Sequence, residues 1–527
     1  MKQGCGQSAR RTQFFASPDA APIVHPTQNP HHRNDSISPE EKRVSDVTIS
    51  APDFTCQLTQ EPTDFPHFWE HTVGSGHAPL ALRADWQQQL LRAHDELGFQ
   101  YVRFHGILSD DMGTLICQDN EPLYSFFNTD QVIDFLLSIG MRPLIELSFM
   151  PETLASGYTT VFAYCANVTP PTDYALWGAL VEKLVSHWVE RYGADEVRHW
   201  LFEVWNEPNL TAFWTGGQDG YFKLYRETVT AIKRVDDTLQ VGGPATADNA
   251  WVEEFVAFCR TNALPLDFVS THHYPTDAFG TPGSDTITQL EHAPRYGMRD
   301  EVRTVRGKAG TLPLYYTEWN ISSNSRDPMH DQAFAAAFAT RIVMEARGLA
   351  QGYSWWTFSD IFAENYFPSV PFHGGFGLLN LHGIAKPVYR AFQLLHQSGT
   401  ELLEVVGVHE TASAWVTRTG NMLKVLMTNL AMPRHDIQSR LVQLRLSDAP
   451  VPHSAWIERI DDDHVNPRAL WTTMGEPTSL SAHQMEQLHA ASALRQEPQA
   501  WTYDDNAISL AVVLPPQSVA CVTIVLP

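Results

Sequence analysis

Two apolar runs in this chain stop at a glutamate. His199-Trp200-Leu201-Phe202-Glu203-Val204-Trp205-Asn206-Glu207-Pro208-Asn209 reads as a buried β-strand closed by Asn-Glu-Pro, and Leu314-Tyr315-Tyr316-Thr317-Glu318-Trp319-Asn320 ends the same way at Glu318. Carboxylates at two strand tips suit the cleavage of a glycosidic bond, in which one protonates the leaving oxygen and the other attacks the sugar or activates water. The donor must be neutral and the attacking group ionised at working pH. Glu207 takes the acid/base role and Glu318 the role of nucleophile. In a retaining geometry the two stand only ~5–5.5 Å apart. Each charge then raises the other's pKa, so Glu207 is released to act as a base once Glu318 is bonded to sugar.

Other strand ends supply partners. Arg103-Phe104-His105-Gly106, His272-His273-Tyr274-Pro275 and the run from Trp355 and Trp356 through Asp360 to Glu364 each follow an apolar segment. Asn206 is placed to donate to a sugar 2-hydroxyl, and Tyr274 to hydrogen-bond Glu318 and hold it ionised. Side chains alternate along a strand. Only one of His272 and His273 therefore faces inward, and His272 is preferred because Tyr274 then points the same way. Trp355 and Trp356 cannot both face the pocket either, and Trp356 is chosen, the alternative for it being barrel packing. Arg103 is either a site cation or a buried partner of a carboxylate. Glu146, with no amide beside it, reads as a structural ion pair.

The elements that must carry these residues alternate. Candidate strands are Trp69–Gly74, Tyr101–His105, Arg142–Ser148, Trp200–Asn206, Leu239–Gly243, Phe268–His273, Pro313–Trp319 and Gly352–Phe358. Between them lie amphipathic segments at Leu82–Leu97, Thr129–Ile139, Thr172–Tyr192, Tyr221–Val235, Trp251–Thr261, Thr286–Arg306, His330–Arg347 and Val388–Leu395, the first three stopping at a glycine. Eight strand–helix units predict an α/β fold, a (β/α)8 barrel over residues 62–396, with its active site where the strands end. An open doubly wound sheet is disfavoured because no Gly-x-Gly-x-x-Gly loop follows a strand. From residue 397 to 527 short β-type runs (Leu402–Val408, Ala414–Thr417, Met422–Asn429, Leu441–Leu446, Ile457–Asp461, Ile508–Val513, Ala520–Leu526) predict an accessory β-sandwich with a helical insertion at Pro467–Leu494. Residues 41–61, with the alternating Arg43–Ile49, are expected to add a strand to that sandwich. Residues 1–40, rich in Pro, Ser, Gln, Asn and His, read as a disordered arm, and His25, His31 and His32 as part of a solvated tail rather than a metal site.

The 527 residues exceed one ordinary domain. A formal charge of −24 argues against nucleic acid or an anionic membrane surface as partner and leans toward a neutral substrate. The six cysteines are scattered without a Cys-x-x-Cys pair, so neither a disulfide framework nor a zinc site is expected. Arg10 and Arg11 precede no apolar stretch of a secretory leader, and no run approaches the about 18 apolar residues of a membrane span. A cytoplasmic protein is expected, with a periplasmic one as the alternative, and a monomer or homo-oligomer is equally compatible.

The motifs taken together resemble glycoside hydrolase family 39, in clan A, and most of all its β-xylosidases. The likeness rests on Val102-Arg103-Phe104-His105-Gly106, Phe202-Glu203-Val204-Trp205-Asn206-Glu207-Pro208, Ser270-Thr271-His272-His273-Tyr274-Pro275, Tyr316-Thr317-Glu318-Trp319 and Trp356-Thr357-Phe358-Ser359-Asp360. Phe372-His373-Gly374-Gly375-Phe376-Gly377-Leu378-Leu379 with Lys386-Pro387 adds to it. The resemblance implies a barrel plus sandwich, retention of configuration, and removal of a terminal sugar from a small oligosaccharide without cofactor or metal. It supports Glu207 and Glu318 in their roles and suggests His105, Asn206, His272, Tyr274, Trp356 and Glu364 as sugar contacts. Within it, the expected activity is that of a β-xylosidase acting on short β-1,4-xylooligosaccharides. An α-L-iduronidase, which needs a cation for the uronate, and an arabinosidase or galactosidase are the sibling alternatives. A non-catalytic sugar-binding barrel would be expected to lose one of the two glutamates.

Overall fold

The computed structural model describes residues 51–119, 121–276 and 285–527. The expected arm, its histidines and the strand proposed at Arg43–Ile49 lie outside them. A closed barrel is formed by β1 (Thr72–His77), β2 (Tyr101–His105), β3 (Arg142–Leu147), β4 (Leu201–Val204), β5 (Gln240–Thr246), β6 (Phe268–His273), β7 (Leu314–Trp319) and β8 (Gly352–Trp355). Each strand pairs in parallel with the next, and β8 returns to β1 with Trp355 opposite Val73. Strands covered by helices outside and filled by side chains inside have no wet face, so they read as continuous apolar runs.

The helices show why the fold closes. In Ala84–Leu97 the residues Trp86, Leu90, Ala93 and Leu97 recur every three to four positions and are all buried. Gly98, at φ 75°, ends the helix and donates its N–H to His94 O. Tyr174–Tyr192 starts at Asp173, whose side chain accepts from Ala175 N, and buries Trp177, Leu180, Val181, Leu184, Val185 and Trp188 against the barrel. Each such side chain contributes about 1.5–3 kcal/mol when fully buried. Trp177→Ala, which also removes the Nε1 donor to Thr228 Oγ1 at 2.8 Å, is the single change that would most damage this helix.

Three expected elements are corrected. Thr286–Arg306 is two helices, Thr286–His292 and Gly297–Ala309, because Pro294 cannot continue a helix and forces Ala293 into extended backbone. Pro467–Leu494 divides into Pro467–Thr473 and Ala482–Ala491, separated by Gly475 and Pro477. The first barrel strand begins at Thr72, since Phe68–Glu70 forms a 3-10 turn.

The remainder is two packed sheets. Phe54–Gln57 lies between Val405–Val406 and Arg440–Ser447 in a five-stranded sheet that also holds Ala507–Leu514 and Trp501–Asp504. A seven-stranded sheet contains Ala412–Thr419, Met422–Asn429, Ser518–Val525 and Ser454–Ile460 in that order. Their inner faces bury Val416, Val425, Leu444, Leu510 and Val522. The helix Ala333–Ala346 is buried on nearly every side because it lies between the barrel and this second sheet. No helix among the described residues is long and apolar enough to cross a membrane.

Candidate active site

The carboxyl ends of the strands open into a cavity of about 930 Å³, within the size range of ligand sites. At its floor Arg103 of β2 is wholly buried and touches three carboxylates. Nε donates to Glu203 Oε2 at 2.6 Å, Nη2 lies 2.7 Å from Glu146 Oε2, and Nη1 donates to Glu318 Oε1 at 2.7 Å. Nη2 also donates to Asn206 Oδ1 at 3.0 Å, which turns the amide nitrogen of Asn206 toward other partners while that residue lines the cavity. His105, two residues on, pairs with Glu146 Oε2 at 2.6 Å and reaches Glu364 Oε1 at 3.4 Å. Burial opposes charge on this imidazole, but Glu146 and Glu364 outweigh it and raise its pKa to about 10.

Glu318, on β7, accepts a second bond from Tyr274 Oη at 2.8 Å. Burial raises its pKa on balance, with Arg103, His105 and Tyr274 acting in the opposite direction. Glu207 follows a sharp turn after β4. Trp205 and Glu207 adopt φ of 69° and 43°, left-handed conformations that cost non-glycine residues about 1–3 kcal/mol. The turn is held by Glu207 N donating to Ala245 O at 2.8 Å and Trp205 Nε1 donating to Phe213 O at 2.9 Å. Burial first and the Glu318 charge next raise the Glu207 pKa far above the usual carboxyl range. One oxygen of each carboxylate and a nitrogen of His272 all lie within 4.8 Å of one another.

The hydrogen bonds of His272 fix which glutamate carries the proton. Thr317 Oγ1 donates to Glu203 Oε1 at 2.7 Å. Its single proton is thereby used, so at 3.1 Å it accepts from His272 Nε2. Burial holds His272 neutral, well below the ordinary imidazole pKa. Its Nδ1 is then an acceptor, and the group 3.0 Å away, Glu207 Oε1, must be the donor. Glu207, the more strongly raised of the two carboxyls, is thus the member of the pair placed to hold the proton.

Seven of the eight residues singled out in the sequence line one cavity, while His272, wholly buried, stands behind it against Glu207 and Thr317. Trp356 lines it, its ring 4.7 Å from that of His105. Trp355 packs behind against Trp319, and His273 turns outward to Glu301 and Tyr353. Four contributors were not anticipated. Glu203 looked like the interior of a strand. Thr317 reaches inward beside Glu318 only because β7 carries an extra residue opposite Thr271 and His272, a bulge that strand alternation cannot anticipate. Phe162 and Phe213 line the cavity mouth from loops and face each other at 5.4 Å. Among the described residues another His/Glu cluster, His67, Glu70 and His396, has ligand-like spacing, but both imidazoles already bond the same Glu70 oxygen, at 2.6 and 2.9 Å.

The family model for glycosyl hydrolases family 39 matches residues 56–507. The chain belongs to glycoside hydrolase family 39. It is similar to a beta-xylosidase of Caldicellulosiruptor saccharolyticus, at 46% identity over 87% of this chain and 95% of that protein. A beta-xylosidase of Geobacillus stearothermophilus is 39% identical over 87% and 93%. In three dimensions this family 39 chain superposes on a monomeric beta-xylosidase from Caulobacter crescentus with a TM-score of 0.79 and 31% identity, covering 90% of this chain and 99% of that one. The protein is a glycoside hydrolase, built as the (β/α)8 barrel with accessory β-sheets that its sequence implies.

Proposed function

We propose that this glycoside hydrolase is an exo-acting, retaining β-xylosidase that releases xylose from short β-1,4-xylooligosaccharides. The observation that carries the reading is the separation of Glu207 and Glu318, whose oxygens approach within 4.8 Å. That spacing suits a nucleophile and an acid acting directly, whereas inversion needs ~6.5–9.5 Å to admit a water between them. Glu318, ionised against Arg103 and Tyr274, attacks the anomeric carbon. Glu207 gives its proton to the departing oxygen, then takes one from the water that releases the sugar. Asn206 donates to the 2-hydroxyl, His105, Tyr274 and Glu364 complete the polar contacts, Trp356 supplies an apolar face, and His272 acts from behind on Glu207. The choice of xylose follows the two relatives at 46% and 39% identity. Arg103, the strand-end guanidinium at the floor, is already engaged by three carboxylates, which weighs against its use for a uronate.

The test uses the unmodified protein. A panel of aryl xyloside, arabinoside, glucoside, galactoside and iduronide identifies the sugar, and proton NMR of the first product anomer reads the stereochemistry. Fastest turnover of the xyloside with β-xylose appearing first is the expected result. An α anomer first, or faster turnover of another glycoside, refutes the reading.

A further inference from the structure

The glycine-rich run from Phe372 to Leu379 and the later Lys386 take no part in the chemistry above, yet the structure brings them together around a fully buried ammonium. Lys386 Nζ lies 2.8 Å from Asp331 Oδ1 and 2.8 Å from Asp360 Oδ2, and donates to Gly375 O at 2.8 Å. The two carboxylates use their other oxygens to grip the same stretch of backbone. Gly374 N donates to Asp331 Oδ2 at 2.8 Å and Gly377 N to Asp360 Oδ1 at 2.7 Å. A Cβ on Gly375 would stand 2.3 Å from Asp360 Oδ1, so the ribbon passes only where side chains are missing.

Phe376 is the side chain this clamp presents. It lines the active-site cavity and packs at 5.5 Å on Phe362, which in turn packs at 6.1 Å on Trp356. Its carbonyl accepts from Trp355 Nε1 at 3.2 Å and Asn320 Nδ2 at 3.4 Å, and the same amide donates to Trp356 O. Asn320 stands two residues beyond Glu318. Ribbon, β8 tip and nucleophile strand therefore share one hydrogen-bonded seam. Three desolvated charges are a poor way to gain stability, since neutral groups of similar volume often serve as well or better. Their use here is geometric.

We infer that Lys386, held by Asp331 and Asp360, is a positioning residue for the glycone pocket: it fixes the 374–377 ribbon so that Phe376 and Trp356 form the wall against which the terminal sugar sits. The inference rests on the reading of this cavity as the sugar site. Two changes test it. Gly375→Ala displaces the ribbon from Asp360 without altering charge. The triple replacement Lys386→Met, Asp331→Asn, Asp360→Asn removes the charges and keeps the volume. The probe is the free sugar released from whichever aryl glycoside the unmodified protein hydrolyses fastest, xylose on the present reading, so an error in the sugar changes the probe and not the comparison. Folding is checked by thermal midpoint. We expect KM and the product-inhibition constant to rise about tenfold or more while kcat on an activated aryl substrate changes less than about threefold. A clamp that serves stability alone would lower the thermal midpoint and leave both constants of the folded protein where they were. Either variant, folded and binding the sugar as tightly as the unmodified protein, overturns the inference. If one of them does not fold, the other decides.

Discussion

Arg103 Nη1 donates to Glu318 Oε1 at 2.7 Å from a side chain with no solvent exposure, and the same guanidinium contacts Glu203 and Glu146. The proposed nucleophile is thus one of three carboxylates gathered around a single buried cation. Arg103→Met leaves those acids without their counter-charge, and breaking a buried ionic network in this way costs about 3–5 kcal/mol. We expect a clear loss of stability in chemical denaturation. Arg103→Lys restores charge without the planar fork and should recover stability more than turnover.

The glutamates separate by substrate. We expect Glu318→Ala to fall to background on every glycoside. Glu207→Ala should keep measurable turnover on aryl glycosides with good leaving groups and lose about 10²–10⁴-fold on xylobiose, where protonation is required. Undiminished hydrolysis of xylobiose by either variant would remove that residue from its role.

Tyr274 lowers the Glu318 pKa by donating to its ionised form at 2.8 Å. Tyr274→Phe removes a bond worth about 1.5–3 kcal/mol to a charged acceptor. The Glu318 pKa then rises. The acid limb of kcat/KM, where Glu318 becomes protonated and inactive, should move to higher pH. A limb that stays in place or moves down contradicts the assignment.

Thr317→Val tests the proton on Glu207. Without the hydroxyl, His272 Nε2 has no acceptor there at 3.1 Å, and the imidazole is free to carry its proton on Nδ1. That N–H stabilises ionised Glu207 and lowers its pKa. The alkaline limb of kcat/KM, where Glu207 loses its proton and can no longer act as acid, should shift to lower pH. An unmoved limb means that the histidine tautomer does not set the proton.

The barrel was legible because its signal is local. Apolar runs such as Phe268–His273 coincide with the observed strand, and a glycine after Leu97 ends its helix where expected. The meeting of Glu207 and Glu318 at one cavity was legible because each glutamate stands beside an amide or indole where an apolar run stops. The hub around Arg103 was not, since Glu203 and Glu146 are told apart from surface acids only by partners about a hundred and about forty residues away. Trp501–Asp504 was missed as a strand because four half-exposed residues carry too little pattern. Phe162 and Phe213 lie on loops, where no period points a side chain at the cavity.

The strand Phe54–Gln57 has a consequence for how the chain matures. It sits inside the five-stranded sheet, parallel to Arg440–Ser447, and Gln443 N bonds an Asp53 carboxylate 390 positions earlier. During synthesis this segment leaves the ribosome long before its neighbours, so it waits unpaired while the whole catalytic unit is made. The two lobes are therefore not interchangeable cassettes. Excising the carboxy-terminal lobe at residue 397 strands an orphan peptide on the amino side. A grafted copy of that lobe would need the segment stitched back on, most simply by circular permutation.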